Sequence, residues 1–174
     1  MVALTLTGCT TPTPKADTKS RHTEAAPLFA TEEEALAAAE EAYGEYVAIS
    51  ELIATEGGVH PERIESYVSS KWLVHEIAAF EDFAAAGKRQ VGSARVFSAE
   101  LQQYVDEGQG ATIVMYTCAD FSDVRFVDSS GVDVTPIERV EVITLVVEFQ
   151  GATRDDLRIS GSEPWTGNSS CVQG

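Results

Sequence analysis

The stretch that decides the fold is Val140-Glu-Val-Ile-Thr-Leu-Val-Val-Glu-Phe149. Val, Ile, Thr and Phe favour strands, because their side chains fit a pleated, half-buried surface. The even positions 142–148 alternate with the odd positions 143–149, as the two faces of one strand do. The stretch therefore predicts the strongest strand of the chain, and neighbouring segments must supply its partners.

Four more strands are predicted around this stretch. Residues 111–118 carry strand-favouring side chains on both faces, as a central strand should. Turn residues separate the segments at Gly108-Gln109-Gly110 and at Asp128-Ser129-Ser130-Gly131. Short connections of this kind join antiparallel neighbours. The remaining predicted strands cover residues 91–105, 124–127 and 157–165.

The first half of the folded region is predicted to be helical. Thr31-Glu32-Glu33-Glu34 is a capping box, in which the Thr31 hydroxyl caps the helix and Glu34 reaches back to the Thr31 amide. The helix runs to about Thr55 and ends at Gly57-Gly58. Its apolar face recurs at steps of three and four residues. The face comprises Leu36, Ala39, Tyr43, Tyr46, Val47, Ser50 and Ile53.

Two more helices are predicted before the strands. His60-Pro61 begins a short one, because proline suits the first helical position, and His60 can cap it. The third runs from about Lys71 to Ala86 and stops at Gly87. Helices that precede strands indicate an α+β fold. We therefore expect residues 31–174 to form a single α+β domain, with three helices packed on a curved antiparallel sheet of four or five strands.

The charge of the chain excludes one class of partner. The net charge is −16, and the acidic excess lies from residue 30 onward, because basic side chains slightly outnumber acidic ones in residues 10–29. Nucleic-acid binding rests on contacts between cations and phosphates, so no nucleic acid is expected as a partner. The sequence also lacks any run of about 18 apolar residues that would predict a membrane-spanning helix.

Leu6-Thr7-Gly8-Cys9 resembles the lipid-attachment box of bacterial lipoproteins, which has an aliphatic residue, two small residues and a cysteine. The resemblance implies that residues 1–9 are the remnant of an export signal and that Cys9 carries lipid. A full export signal has a basic region, whereas no residue before Cys9 is basic, so we expect the true translation start upstream. Residues 10–30 lack apolar periodicity, which predicts a disordered tether.

The cysteine count fits this interpretation. The chain has three cysteines, Cys9, Cys118 and Cys171. If Cys9 carries lipid, the other two are left as a pair, and an oxidising compartment favours a disulfide between them. Two free thiols are the alternative. A metal site is not expected, because no second Cys or His lies at ligand spacing.

Several motifs together resemble those of small actinobacterial surface lipoproteins of unassigned function. The resemblance covers about residues 31–171 and implies a cystatin-like, or nuclear-transport-factor-2-like, cone in which a curved sheet wraps helices. The helical half departs from this pattern, because it lacks the strand that many such cones have. The motifs are Gly57-Gly58-Val59-His60-Pro61-Glu62-Arg63, Gly87-Lys88-Arg89-Gln90-Val91-Gly92, Tyr116-Thr117-Cys118-Ala119-Asp120, and Trp165 followed by Cys171.

A cone of this kind offers one catalytic hypothesis. Enzymes of this fold commonly transfer protons through an Asp/His pair, and the resemblance makes Asp120 and His75 the candidates. Tyr43, Tyr46 and His75 are the candidate lining of its cavity. A structural or surface role for His75 competes with this interpretation, because Ala79 stands where a zinc motif of the His-Glu type needs its second histidine.

No metal or cofactor is expected. Residues 128–133 resemble part of a calcium loop, but Arg139 stands where the twelfth position of such a loop requires Glu. A hairpin turn is therefore the preferred interpretation. The sequence also has no phosphate loop, dinucleotide fingerprint or nucleophile elbow.

These observations define an expected function and two alternatives. We expect a non-catalytic lipoprotein, held at the extracytoplasmic face of the bacterial membrane through Cys9, that binds a small ligand or a protein partner. One alternative is an enzyme of the same fold that uses His75 and Asp120 for acid–base chemistry. The other is a structural component of a cell-surface or conjugation complex.

Overall fold

The computed structural model describes residues 26–167 and Cys171. It confirms the predicted α+β class, while Leu6–Cys9 and most of the predicted tether lie outside the described residues. Within the described part, no helix is long and apolar enough to cross a membrane.

The described chain has two α-helices, two 3-10 helices and six strands. The α-helices are α1 (Glu32–Thr55) and α2 (Ser70–Ala85), and the 3-10 helices lie at Pro61–Tyr67 and Arg154–Asp156. The strands are β1 (Arg89–Val91), β2 (Arg95–Asp106), β3 (Ala111–Asp120), β4 (Arg125–Val127), β5 (Val142–Gly151) and β6 (Arg158–Pro164).

Helix α1 begins at the predicted capping box. The Thr31 hydroxyl accepts a hydrogen bond from the Glu34 amide at 3.2 Å. The Glu34 carboxylate accepts one at 3.0 Å from the amide of Ala30, one residue earlier than predicted. The first bond satisfies an amide that the helix start would otherwise leave unpaired. After Thr55, φ angles of 80° and 79° at Gly57 and Gly58 turn the chain away.

The segment between the two α-helices differs from prediction in detail. Its short helix is a 3-10 helix, and His60 precedes it in a left-handed conformation at φ 56° without a capping hydrogen bond from its side chain. The predicted cap by His60 is therefore wrong. The His60 Nδ1 lies 3.2 Å from Glu62 Oε1 instead. Ser69 caps α2, because its hydroxyl accepts from the Trp72 amide at 3.3 Å.

The main sheet has four antiparallel strands in the order β2-β3-β5-β6. The stretch quoted at the outset forms most of β5, which pairs with β3 on one side and β6 on the other. In the β3–β5 register, Met115 is opposite Val147. Strand β2 has irregular pairing between Phe97 and Ala99 and again between Leu101 and Gln103. Such bulges bend a strand and increase its twist.

The predicted strand over residues 91–105 is two strands. Gly92 separates β1 from β2 at a φ of 77°, and a Cβ there would collide with the carbonyl oxygen of Asp123. This close approach and positive φ require glycine. Beyond the break, β1 pairs with β4 in a separate two-stranded ribbon. The predicted four or five strands are thus a four-stranded sheet and a ribbon.

The core lies between α1 and one face of the main sheet. Ile113 and Met115 of β3 belong to the same buried cluster as Ala35 and Ala39 of α1. All four side chains are at most 1% exposed. The small alanine side chains allow the helix to approach the strands closely. Full burial of a side chain such as Ile113 stabilises the fold by about 1.5–3 kcal/mol.

The folded domain begins before residue 31, where the sequence placed its boundary. Phe29 is 1% exposed, and its ring meets that of Tyr104 edge to face at 5.8 Å between centroids. The Tyr104 hydroxyl accepts a hydrogen bond from the Phe29 amide at 3.0 Å. The Asp106 carboxylate accepts one from the amide of Leu28. Residues 28 and 29, predicted as the end of the tether, are therefore part of the fold.

A disulfide joins Cys118 to Cys171, as predicted, with their Cα atoms 5.6 Å apart. Side chains alternate along a strand, so Cys118 lies on the face of β3 opposite to Met115; we call this face, which points away from α1, the outer face. Cys118 is opposite Thr144 of β5 in the sheet register. The Thr144 hydroxyl lies 2.9 Å from the Cys171 sulfur. The disulfide therefore holds Cys171 against the outer face of the sheet.

Removing this disulfide should destabilise the domain. The two cysteines are 53 residues apart, and loop-closure entropy for such a span corresponds to about 4 kcal/mol. We expect Cys171→Ser to lower the free energy of unfolding in urea by roughly this amount. A reductant should have a similar effect on the wild type and little effect on the variant. Reactive thiols at both positions in the unreduced protein would contradict the prediction.

Gly44 should be a site of stabilising substitution. It lies in the middle of α1, and a Cβ there would meet no atom within 4 Å. Glycine in a helix interior costs about 0.5–1 kcal/mol relative to alanine, so Gly44→Ala should raise the free energy of unfolding by that amount. Gly58→Ala is the contrast, because a Cβ there would collide with the Phe80 carbonyl oxygen at a positive φ. Urea denaturation should show a higher free energy of unfolding for Gly44→Ala and a lower one for Gly58→Ala than for the wild type. A destabilised Gly44→Ala or a stabilised Gly58→Ala would contradict the prediction.

Candidate functional site

Tyr43 and Tyr46 form a stacked pair on α1, with ring centroids 5.9 Å apart. Tyr43 is 5% exposed. Burial, aided by the negative charge of Glu76, raises the pKa of Tyr43 to about 12 and raises the pKa of Tyr46 as well. Both phenols therefore keep their protons at neutral pH and can donate hydrogen bonds.

Glu76 is a functional candidate that the sequence patterns do not indicate. Its Oε1 accepts a hydrogen bond from the Tyr46 hydroxyl at 3.0 Å and one from the Trp72 indole nitrogen at 2.8 Å. Burial raises the pKa of Glu76, against the opposing effect of these two bonds and of His75. The only signal in the sequence is the four-residue step from Trp72 to Glu76, which puts both on one side of α2.

The predicted pair of His75 and Asp120 is not brought together. His75 is exposed on α2, with its ring 5.2 Å from that of Trp72. Asp120 accepts a hydrogen bond from the Ser122 amide at 2.9 Å and forms an ion pair with Arg95 at 3.0 Å. Hydrogen bonds from Ser122, followed by the interaction with Arg95, lower the pKa of Asp120 to about 2. A carboxylate with so low a pKa is a weak general base.

Two hollows between α1 and the sheet share Tyr43 and Val96 as lining residues. We call them the Tyr46 hollow, of about 210 Å³, and the Thr117 hollow, of about 280 Å³. Tyr43 and Tyr46 both line the first, whereas His75 and Asp120 line neither. The Tyr46 hollow is bounded by Ser50, Ala119, Phe121 and Leu145 among others, and the Thr117 hollow by Gly44, Phe97, Ser98, Ala99, Met115 and Thr117.

A larger groove lies on the surface and differs in character. It has a volume of about 430 Å³ and runs between α1 and the 3-10 helix that precedes β6. Its charged side chains are all exposed: Glu41, Glu45, Arg154 and Asp155. The hollows beside Tyr43 are smaller but contain buried polar groups, and we place the candidate site there.

Thr117 is the unusual polar group of this site. The residue is 2% exposed, and its hydroxyl oxygen is the one buried side-chain polar atom in the described part of the chain without a hydrogen-bond partner. A buried hydroxyl in this state costs about 1–3 kcal/mol. Ser98 lies on the same hollow at a bulge of β2, with a φ of 59° that residues other than glycine rarely adopt.

The remaining polar motif is a turn. The Asp128 carboxylate accepts hydrogen bonds from the amides of Ser130 at 2.8 Å and Val132 at 3.0 Å. Val127 pairs with Asp133 across the segment, so these residues form the predicted hairpin turn. Over residues 26–167 and Cys171, no three His, Cys, Asp or Glu side chains are grouped so that they could hold a metal ion.

No family model and no curated protein matches the chain in sequence. Among solved structures, the fold is similar to the intermembrane space region of the chloroplast protein ARC6, with a TM-score of 0.55 and 11% identity over 76% of this chain and 97% of that one. The iota-carbonic anhydrase of a cyanobacterium, in complex with bicarbonate, aligns with a TM-score of 0.39 and 17% identity over 83% and 97% of the two chains. The first likeness shows a shared fold alone, and the second is too weak to support an argument.

Glu76 should make the stability of the domain depend on pH. Its pKa in the folded protein is raised above the ordinary value of 4.5. The folded state therefore binds the proton more tightly than the unfolded state, and this group's contribution to stability falls as the pH rises from 4.5 through the folded pKa. Glu76→Gln keeps an acceptor oxygen but cannot titrate. The free energy of unfolding of this variant, relative to that of the wild type, should therefore increase as the pH rises from 4.5 through the folded pKa of Glu76.

Urea denaturation at a series of pH values measures this difference. Glu81→Gln, at an exposed position of the same helix, is the matched control for removing one charge from α2. A difference between Glu76→Gln and the wild type that is constant with pH, or that decreases as the pH rises, would contradict the prediction.

Proposed function

We propose that the chain is a non-catalytic lipoprotein of the extracytoplasmic membrane face, held there by lipid on Cys9, and that its domain binds a small ligand or a protein partner. The observation that carries the proposal is the Cys118–Cys171 disulfide. Disulfides persist in oxidising compartments and are rare in the cytosol of mesophiles. With these two cysteines paired, Cys9 is the cysteine left for a different role.

The start of the folded domain is compatible with attachment through the N-terminal segment. Leu28 and Phe29 are held at β2 by Asp106 and Tyr104, so tension on the preceding chain would act on an ordered, hydrogen-bonded segment. The chain between Cys9 and Leu28 can span at most roughly 60 Å when fully extended. Such a length would let the domain stand clear of lipid headgroups.

We further propose that the architecture is the cystatin-like, or nuclear-transport-factor-2-like, cone. Helices precede the sheet in the chain, α1 packs on one sheet face, and two bulges bend β2. The likeness to the ARC6 region supports the arrangement of helices and sheet. Ligand sites in proteins are usually concave and largely apolar, and the two hollows between α1 and the sheet have this character.

The polar groups around the hollows favour binding over acid–base catalysis. A general acid or base needs a pKa near the working pH and a position within hydrogen-bond reach of the substrate. Asp120 is engaged by Arg95 and Ser122, and His75 is exposed on α2. The carboxylate of Glu76 has a raised pKa but is engaged by two donors and lines neither hollow.

Lipid attachment is tested by replacing Cys9 in the native host, with the gene expressed from its own start. We expect wild-type protein to sediment with membranes and its Cys9 peptide to carry diacylglycerol and acyl mass in mass spectrometry. Cys9→Ser should abolish the modification and release the protein from the membrane fraction. Cys171→Ser, which also removes one cysteine, should leave the Cys9 peptide modified. An unmodified Cys9 peptide from wild-type cells would sink the proposed anchor.

A further inference from the structure

We propose that the Thr117 hollow is a binding site for a small, uncharged and mostly apolar molecule that carries one hydrogen-bonding oxygen, such as a monocyclic phenol or alcohol. This inference rests on the binding role proposed above and adds the location of the site and the chemical class of its ligand.

The size and lining of the hollow fit a small apolar body. Its volume is about 280 Å³. An apolar cavity of about 150 Å³ is large enough to bind benzene, so this hollow has room for a substituted ring. Val96, Ala99 and Met115 supply an apolar surface on the sheet side. Burying a ligand's apolar surface against them is the main source of affinity expected here.

The unpaired hydroxyl of Thr117 provides the polar anchor. Thr117 lines the hollow and is 2% exposed, and its enclosed hydroxyl oxygen has no hydrogen-bond partner within the described chain. A ligand reaches this oxygen when a neighbouring side chain of the lining shifts. A threonine hydroxyl can both donate and accept, so it can pair with the hydroxyl of a phenol or an alcohol. Tyr43 also lines this hollow. A ligand with one oxygen would satisfy a group that the free protein leaves unpaired.

Charge at the site argues against ionised ligands. Glu40 lines the hollow and is exposed, which places a carboxylate at its rim. This carboxylate and the net charge of −16 repel anions. A cation would have to leave water for a hollow whose buried polar groups are neutral hydroxyls, at a large desolvation cost. An uncharged ligand avoids both penalties.

Two residues lie at the mouth of the hollow: Gly44 of α1, which has no side chain, and Ser98 at the bulge of β2. Gly44 of α1 lines the hollow, and a Cβ there would meet no atom within 4 Å. Ser98, at φ 59°, lines it from the bulge of β2. Unfavourable backbone conformations of this kind cluster at ligand sites. Enlarging the side chain at position 44 should therefore narrow the opening without displacing atoms of the core.

Met115 makes direct detection of a ligand feasible. The chain has two methionines, Met1 and Met115, so ¹³C-methyl labelling of methionine gives two signals. Met115 is 1% exposed and lines the hollow, and its methyl signal will shift when the hollow fills. The oxidised full-length chain is titrated with p-cresol, with toluene, which lacks the oxygen, and with p-toluate, which carries a negative charge.

We expect saturable shifts of the Met115 methyl with p-cresol, binding of toluene that is about 10-fold weaker, and no saturation with p-toluate. Thr117→Val removes the hydroxyl while keeping the shape, and it should weaken p-cresol binding about 10-fold. The same change should raise the thermal midpoint of the free protein by roughly 2–4 °C, because it removes an unpaired buried hydroxyl. Thr112→Val, on the outer face of the same strand, should leave p-cresol affinity unchanged.

A second pair of variants tests the opening. Gly44→Leu should weaken p-cresol binding at least about 10-fold by filling the mouth. Ala48→Leu, at an exposed position of the same helix that lines neither hollow, should leave the affinity unchanged. The proposal is overturned if p-cresol fails to shift Met115 in the wild type, if toluene binds as tightly as p-cresol, or if Thr117→Val binds p-cresol like the wild type. These titrations do not depend on Cys9, so their failure would leave the proposed membrane anchor standing, and an unmodified Cys9 would leave the ligand site standing.

Discussion

The packing of α1 on the inner face of β3 and β5 is the contact on which the rest of the structure depends. Ala35 and Ala39 are fully buried in the cluster that contains Met115 and Val147, and their small side chains permit close approach. One turn later the helix presents Tyr43, whose ring cannot lie as close to the strands as a methyl group. The two hollows adjoin this residue. The sequence of side-chain sizes along one helix therefore decides where the core is filled and where space remains.

The elements that the sequence predicted well are those with local signals. The capping box at Thr31, the glycines after Thr55 and the alternating pattern of β5 each lie within a few residues of the feature they specify. The disulfide could also be predicted, because the lipid predicted on Cys9 would leave two cysteines to pair in an oxidising compartment. The α+β class followed from the order of these elements along the chain.

The features that the sequence did not reveal depend on contacts between distant residues. The break at Gly92 is required by the backbone at Asp123, and the burial of Phe29 depends on Tyr104. The environment of Glu76 depends on Tyr46, thirty residues earlier in the chain. Its neighbour His75 is the candidate that residue type favours, because histidine is a common catalytic residue, although the fold leaves it exposed. Residue type alone does not show which of two adjacent polar side chains the tertiary structure partly covers.

Two polar groups that the fold withdraws from water differ in whether hydrogen bonds offset the cost of their desolvation. Glu76 is partly withdrawn from water but receives hydrogen bonds from Tyr46 and Trp72, which offset part of the desolvation cost. Thr117 is more deeply buried and its hydroxyl has no such partner in the described chain. A valine of nearly the same shape would avoid this cost. The first group contributes to joining α1 to α2, whereas the second lowers stability at the wall of a hollow.

In the proposed exported lipoprotein, the disulfide would also constrain the order of events as the chain matures. Cys118 belongs to an interior strand of the sheet, whereas Cys171 follows its last strand. A chain exported from its N-terminal side would deliver Cys118 to the oxidising compartment before Cys171, at a time when Cys9 is also present. Acylation of Cys9 before oxidation would remove that competitor for pairing. Formation of the Cys118–Cys171 disulfide would then be the final step, and it could occur only after every strand had crossed the membrane.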